Sequence, residues 1–245
     1  MSKISEQAPV IITGGAQRFG LALASALADE GHNVVISYRS EKESLAGLQK
    51  KGVQCLQADF SSPAGINTFL QTLRSSYPCI RALIHNASDW IPEKSPLLFE
   101  EVLDKSMAVH VMAPYMLNLG LEDNLRACSE AGQAADIIHM TDFVAATGSK
   151  KHIAYAASKA ALENLTLSFA SRFAPHIKVN SIAPALLMFN DHDDEQYRLK
   201  ARNKSLLPPA PGAAEGIRAV KFLLESEYIT GRSIALDGGR HLVRK

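Results

Sequence analysis

Tyr155 and Lys159 lie four residues apart in "HIAYAASKAALENL", and thirteen residues before the tyrosine Asp142 stands at the end of an apolar run. On a helix, positions i and i+4 share one face, so this spacing sets a phenol, a weak proton donor, beside an ammonium. A proton donor held next to a cation suits the reduction of a polarised double bond. The aspartate limits which bond that is. A carboxylate beside a developing oxyanion repels it, so Asp142 fits a ketone poorly and another acceptor has to account for it.

A second group of residues has the spacing of a nucleotide site. "ITGGAQRFG" follows one apolar run and opens an amphipathic one. Gly14 and Gly20 there permit a tight turn and close backbone approach, and a helix start leaves free N–H groups for a pyrophosphate. A strand before it, a helix after it and a second strand within about twenty residues supply the required context; a glycine turn with no ligand is the plainer alternative. The second strand ends "SYRS", so Tyr38, Arg39 and Ser40 stand where an NAD site places a carboxylate for the ribose 2′-hydroxyl. A guanidinium pairs bidentately with phosphate, which favours the 2′-phosphate of NADPH over an ordinary surface arginine. "QADF" ends the third strand and sets Asp59 to accept from an adenine amine.

Positioning these groups takes a regular alternation of strands and helices, and the chain has one. Apolar runs Pro9–Thr13, Asn33–Tyr38, Val53–Asp59, Arg81–Ala87, Ala135–Thr141, Ile177–Ala183 and Arg232–Gly238 read as strands. Amphipathic helices such as "FGLALASALADEG" and "AYAASKAALENLTLSFASRFA" separate them. Strands apolar on both faces imply a doubly wound, seven-stranded parallel sheet of Rossmann type, an α/β fold in a single domain over residues 1–245. The chain is 245 residues long with net charge +1 and 47% hydrophobic residues, which suggests neither a nucleic-acid binder nor a disordered chain. Cys55, Cys79 and Cys128 are odd in number and form no CxxC, so neither a disulfide framework nor a metal site is expected. "MSKISEQAPV" carries no apolar signal segment and no apolar run approaches the ~18 residues of a membrane span, so a cytoplasmic protein with no membrane partner is expected. One stretch breaks the alternation. Residues 186–216, "LLMFNDHDDEQYRLKARNKSLLPPAPGAAEG", follow the sixth strand, where a long excursion can lie over the ligand as a lid or be a solvated surface loop.

Taken with "HNAS" after the fourth strand, these motifs stand in the order and register of the short-chain dehydrogenase/reductases, which the chain resembles over nearly its whole length. The resemblance implies that Tyr155 is the acid that meets the substrate. It implies too that Lys159 holds the nicotinamide ribose and lowers the phenol's pKa from its reference near 10. Three departures sharpen the match: Arg18 for a loop glycine, Asp142 for the usual serine, and Trp90, the only tryptophan, after "HNAS". Together they resemble the pteridine reductases of this superfamily, as do "GGAQRFGLALA", "HNASDW", "KHIAYAASKAALEN", "KVNSIAP", "FNDHDDEQYR" and "LDGGRHL". The implied cofactor is NADPH, contacted by Gly14, Arg18, Phe19, Gly20, Tyr38, Arg39, Ser40, Asp59, Phe60, Asn86, Ala87, Ser88, Tyr155, Lys159, Pro184 and Leu186. The implied substrate is a 7,8-dihydropterin, dihydromonapterin first and dihydrofolate second, contacted by Arg18, Ser88, Trp90, Asp142, Tyr155 and Leu187. A homotetramer is implied as well, with the tail from Arg240 onward reaching a neighbouring subunit's site.

A dihydropterin answers the question Asp142 raises. Its C6–N5 bond is an imine; hydride goes to C6 and a proton must reach N5. A carboxyl in a half-closed apolar pocket has a raised pKa and can deliver that proton. Trp90 can stack on the flat ring or pack as a rim aromatic under the lid. Arg18 can bridge the cofactor phosphates and the ring edge, and Ser88 can bond either a phosphate or the ring's amine. His110 stands where many family members have an asparagine that holds a water, and reads equally as a water ligand or as a core histidine paired to a backbone carbonyl; His85 reads as structural. The rival readings are a short-chain ketone reductase and a non-catalytic NADPH-sensing regulator.

Overall fold

The computed structural model describes residues 8–132, 134–189, 193–208 and 212–243. Among them seven strands form one parallel sheet: β1 (Val10–Ile12), β2 (Val34–Tyr38), β3 (Gln54–Gln57), β4 (Ala82–His85), β5 (Ala135–Met140), β6 (Ile177–Pro184) and β7 (Ser233–Leu236). Their order across the sheet is β3-β2-β1-β4-β5-β6-β7. Helices α1 (Arg18–Asp29), α2 (Ser44–Lys50), α3 (Pro63–Ser76), α4 (Phe99–Met107), α5 (Ala113–Gly120), α6 (Glu122–Glu130), α7 (Val144–Thr147), α8 (Ile153–Phe173), α9 (Glu195–Arg202) and α10 (Ala214–Glu225) accompany them, with a short 3-10 turn at Arg240–Leu242. The expected doubly wound α/β sheet is the observed one.

Two apolar layers hold it together. On one face Phe69, Leu73, Leu117, Leu125, Phe169 and Phe173 pack against Ile11, Leu83 and Ile137. On the other, Leu23, Leu27, Val220 and Leu223 pack against Ile12, Ile36, Ile84 and Ile138. Successive strand residues point to opposite faces, so Ile11 and Ile12 serve different layers, which is why strands buried on both sides read as continuous apolar runs. Helix starts are fixed locally as well: Ser62 Oγ accepts from Gly65 N at 3.3 Å to cap α3, with Pro63 in its first turn.

The chain winds outward from β1 to β3 and then returns to place β4 on the other side of β1. That reversal opens a crevice beyond the carboxyl ends of β1 and β4, where ligands of such sheets bind. All strands but β6 are shorter than the sequence suggests, and part of the difference falls in that crevice. Thr13, Asp59, Asn86, Ala87 and Thr141 were assigned to strand ends but lie just beyond them. Thr13 and Thr141 are still buried there, while Asp59, Asn86 and Ala87 are partly or fully open, because the backbone has left the ladder to face the crevice. Between α4 and α5 the backbone makes a π-helical turn, Ala108–Met112, centred on His110. Of the 186–216 excursion, α9 is described, whereas residues 190–192 and 209–211 lie outside the described residues, as do residues 244–245 of the tail.

Candidate functional site

A cavity of about 820 Å³ fills the crevice. Its floor is bare backbone. A Cβ added at Gly14, whose φ is +68°, would stand 2.8 Å from Ala87 Cα, and one at Gly20 would stand 2.4 Å from the Gly14 carbonyl oxygen. The loops after β1 and β4 are tied together: Asn86 Nδ2 donates to the Thr13 and Gly14 carbonyls at 3.1 and 2.9 Å, and Thr13 Oγ1 accepts from Asn86 N and Ala87 N at 3.0 Å. No side chain caps the start of α1, so its first N–H groups are left for a ligand. Arg18 has φ +52°, alone among the described non-glycine residues in that region. This is the conformation a glycine adopts without strain, and holding an arginine there costs roughly 1–2 kcal/mol. In return its guanidinium spans the crevice, donating to the Met188 carbonyl at 3.4 Å.

At the other end of the same floor, Tyr38 at the end of β2, Arg39 and Ser40 just beyond it, and Asp59 and Phe60 after β3 line the wall. Arg39 pairs with Asp89 at 2.9 Å while 61% exposed. An exposed pair of this kind contributes at most about 1 kcal/mol, so the guanidinium exchanges readily to an anionic ligand. Asp59 Oδ1 accepts from Ser61 N at 2.9 Å, which orients the carboxylate at the cavity edge. Bare backbone, an open helix start and a guanidinium in place of a carboxylate fit a dinucleotide bearing a 2′-phosphate.

The chemistry-bearing end is built on β5 and α8. Asp142 follows β5, its Oδ1 accepting from Val144 N at 2.9 Å and its Oδ2 from Tyr155 Oη–H at 2.9 Å. Burial pushes the Asp142 carboxyl above the usual range, against the hydrogen bonds from Val144 and Tyr155 and the charges of Lys159 and Arg240. Lys159 lies below the pair, 3% exposed, donating to the Met140 carbonyl at 2.7 Å, and burial brings its pKa down to about 8. Tyr155 corrects one expectation: its phenol is pushed up, by burial first and then by the Asp142 carboxylate, not lowered by Lys159. The reason is proximity. Asp142 touches the hydroxyl, whereas Lys159 Nζ lies 5.6 Å from the ring centroid and turns to a carbonyl. Tyr155 therefore keeps its proton, and Asp142 is the group of this pair whose shift is toward neutral pH.

Trp90 stands at the mouth, 56% exposed, stacked on His152 at 4.4 Å and 21° and tilted 6.5 Å from the Tyr155 ring. Glu93 Oε1 accepts from Ala154 N at 2.9 Å and so joins the loop carrying Trp90 to the start of α8. His110 matches neither expected role, for its two ring nitrogens meet the hydroxyls of Ser88 and Ser158, each at 2.8 Å. His85 is structural as expected, fully buried and 2.8 Å from Asn118 Oδ1, its pKa lowered by burial to about 4.

The fold thus gathers Gly14, Arg18, Phe19, Gly20, Tyr38, Arg39, Ser40, Asp59, Phe60, Asn86, Ala87, Ser88, Trp90, Asp142, Tyr155, Pro184, Leu186 and Leu187 around one cavity. Lys159 lies beneath its wall rather than on it. Arg240, read as bordering a neighbour's cavity, lines its own chain's, 4.8 Å above the Phe143 ring. Asp89, Glu93 and His152 were missed; each belongs to a loop with no periodic signal, and only the approach of two loops distant in sequence gives it a role. Asp193 and Tyr197, at the start of α9, also reach the cavity from the excursion.

The short chain dehydrogenase family model matches residues 8–196. The dihydromonapterin reductase of Escherichia coli is 51% identical over 238 residues, 97% of this chain and 98% of that protein. The one from Klebsiella pneumoniae is 51% identical over 234 residues, 96% and 97% of the two chains. Among solved structures, FolM alternative dihydrofolate reductase 1 of Brucella canis, complexed with NADP, superposes with a TM-score of 0.82 at 29% identity, covering 99% of this chain and 98% of its own.

Proposed function

From the premise that the chain belongs to the short chain dehydrogenase family, we propose that its cavity carries out NADPH-dependent reduction of a 7,8-dihydropterin, with dihydromonapterin the first substrate and dihydrofolate a second. The observation that carries this reading is the 2.9 Å contact between Tyr155 Oη and Asp142 Oδ2 with the carboxyl raised by burial. That arrangement presents an acid to a ring nitrogen, where a ketone would need neutral hydroxyls around its oxygen. The names of the Escherichia coli and Brucella canis relatives support it.

NADPH, when bound, supplies the hydride. The α1 start, Arg18 and the Asn86–Ala87 backbone hold its phosphates, Arg39 and Ser40 its 2′-phosphate, and Asp59 and Phe60 its adenine. Lys159 would hold the ribose hydroxyls by turning its ammonium from the Met140 carbonyl it now meets beneath the wall. Phe19, Pro184 and Leu186 close the apolar sides. Asp142 delivers a proton from Oδ2 to N5 and takes its replacement from solvent at the cavity mouth, while Tyr155 Oη–H holds the carboxylate left behind. Trp90 and Leu187 take the flat ring between them and the nicotinamide face. For that, Trp90 must hold its stacking plane while His152 yields, since His152 covers it at 4.4 Å. Residues 186–216 act as the lid, and Asp193 and Tyr197 bring α9 to the ring's tail.

The test is NADPH oxidation measured with dihydromonapterin, dihydrofolate and a panel of activated ketones. Turnover is expected with the dihydropterins and not the ketones; the opposite ranking would make this a carbonyl reductase, and no turnover with any of them a cofactor-binding regulator. A second expected result concerns Arg39. Arg39→Ala should raise the NADPH Michaelis constant by about tenfold to a hundredfold, the worth of a charge-assisted phosphate contact, and leave that for NADH nearly unchanged. Equal use of both cofactors by the unaltered protein would remove Arg39 from the site.

A homotetramer in the cytoplasm completes the proposal. Leu103 on α4, Met112 at the end of the π-helical turn, Tyr115 on α5 and Leu167 on α8 are exposed, leaving apolar surface suited to a second copy. Among the described residues no helix is long and apolar enough to cross a membrane.

A further inference from the structure

Ser88, His110 and Ser158 form one hydrogen-bonded chain from the cavity wall into α8. Ser88 Oγ lies 2.8 Å from His110 Nε2, and His110 Nδ1 lies 2.8 Å from Ser158 Oγ. The far end fixes the direction of the rest. Ser158 Oγ is also 2.8 Å from the carbonyl oxygen of Tyr155, and a carbonyl only accepts. Two oxygens at that separation with no hydrogen between them repel, so the Ser158 hydrogen lies on that bond. Ser158 must then accept from His110 Nδ1–H. His110 is 1% exposed, and burial, aided by the charge of Lys159, holds its pKa well below the ordinary value. The ring therefore carries one proton, and Nε2 is bare. Ser88 donates to it, which uses the only hydrogen Ser88 has. Toward the cavity and toward the neighbouring Tyr155 hydroxyl, whose own hydrogen lies on Asp142, Ser88 Oγ turns lone pairs alone.

We propose that His110 is a positioning residue that makes Ser88 a pure acceptor, so that this wall selects a ligand atom bearing hydrogen, an exocyclic amine rather than a phosphate or carbonyl oxygen. This decides between the two partners that Ser88 could have from sequence. His110 sits at the centre of the π-helical turn Ala108–Met112, a backbone insertion that re-aims a side chain and recurs at functional sites. The Tyr155 ring meets the imidazole edge-on, 5.2 Å away at 86°, and helps keep it from turning. The identity of the ring rests on the dihydropterin reading: of that ring's polar groups, the exocyclic amine donates in every ring tautomer.

Two measurements test this. The first is the histidine tautomer, read from multiple-bond proton–nitrogen correlations on nitrogen-15 histidine-labelled protein, with the His110 signals assigned by their loss in His110→Phe. Nδ1 is expected protonated and Nε2 bare; an Nε2–H tautomer or a doubly protonated ring at neutral pH would overturn the proposal whatever the substrate proves to be. The second is kcat/KM with NADPH for 6-methyl-7,8-dihydropterin relative to its 2-oxo counterpart, 6-methyl-7,8-dihydrolumazine. The unaltered enzyme should favour the amine by on the order of tenfold to a hundredfold, as a site with a committed acceptor does. His110→Phe frees the Ser88 hydrogen and Ser88→Ala removes the acceptor, so both should bring the ratio to within about threefold of unity, with the change in KM rather than kcat. His110→Gln, whose amide oxygen can stand in for Nε2, should restore the preference. A preference unchanged in His110→Phe would overturn the proposal. Failure of the unaltered enzyme to turn over either ring would instead strike the dihydropterin reading and leave the tautomer to decide the role of His110.

Discussion

Asp142→Asn is expected to lower dihydropterin turnover by roughly 10²–10⁴, the usual range for a lost general acid, while NADPH affinity stays near that of the parent. The substitution keeps the shape and leaves an amide in reach of Val144 N and Tyr155 Oη, which now bind Asp142 at 2.9 Å each, and it removes only the acid. The pH dependence follows from two directions. Burial raises the Asp142 pKa, and the protonated carboxyl exists below that pKa, so activity is full on the acid side and falls as pH rises through it. Lys159, brought down to about 8 by burial, loses its charge in the same direction, and the Asp142 carboxylate is among the groups that hold that charge on. In the Asn variant, therefore, the residual activity should show its alkaline fall at lower pH than a Lys159 supported by a carboxylate would give. Steady-state profiles of kcat on both proteins check this. An Asn variant with the parent's turnover and profile would move proton delivery to Tyr155 or solvent.

Much of this site could be read before the fold was known because it depends on spacing along single elements. Tyr155 and Lys159 share a helix face by arithmetic. Gly14, Arg18 and Gly20 fall at the strand-to-helix turn that the apolar pattern itself locates. Arg39 follows a strand whose carboxyl edge any doubly wound sheet turns to its ligand. What stayed hidden depends on approach between segments. Nothing in "HNASDWIPEK" tells that Glu93 caps α8 some sixty residues on, or that Trp90 meets His152 before any substrate. The direction of the Tyr155 shift differs from the sequence expectation for a related reason: the sequence places Lys159 one turn away, but only the packing shows that its ammonium turns to Met140 while the carboxylate takes the hydroxyl. His110 was open between two roles because an aligned position gives the residue and not the two hydroxyls it meets.

The second large effect belongs to another carboxylate, on β5 at the end opposite Asp142. Asp136, near the start of β5, is 0% exposed and lies between Arg81 at 2.5 Å and Lys178 at 2.8 Å, six residues and one strand length from Asp142. Both aspartates have pKa values raised by burial, yet their surroundings assign them opposite uses. Asp142 faces a cavity and a proton donor. Asp136 faces two cations that are themselves 13% exposed and anchored, Arg81 to the Leu224 carbonyl and Lys178 to those of Leu223 and Ser226. Asp136→Asn leaves both cations facing a neutral amide, and breaking a buried pair in this way costs about 3–5 kcal/mol. In a domain of this size each kcal/mol moves Tm by roughly 2–4 °C, so a fall of roughly 6–20 °C is expected by thermal unfolding. The kinetic constants, measured well below the transition, should remain those of the parent, because this end of the sheet lies a full strand away from the crevice. The two substitutions therefore separate what burial of a carboxylate does at the two ends of one strand: at Asp142 the loss should appear in turnover with Tm nearly unchanged, and at Asp136 in Tm with turnover unchanged. A stable Asp136→Asn protein with impaired turnover would mean that the Arg81–Asp136–Lys178 cluster acts on the crevice through β5, and that the division between supporting end and reacting end does not hold.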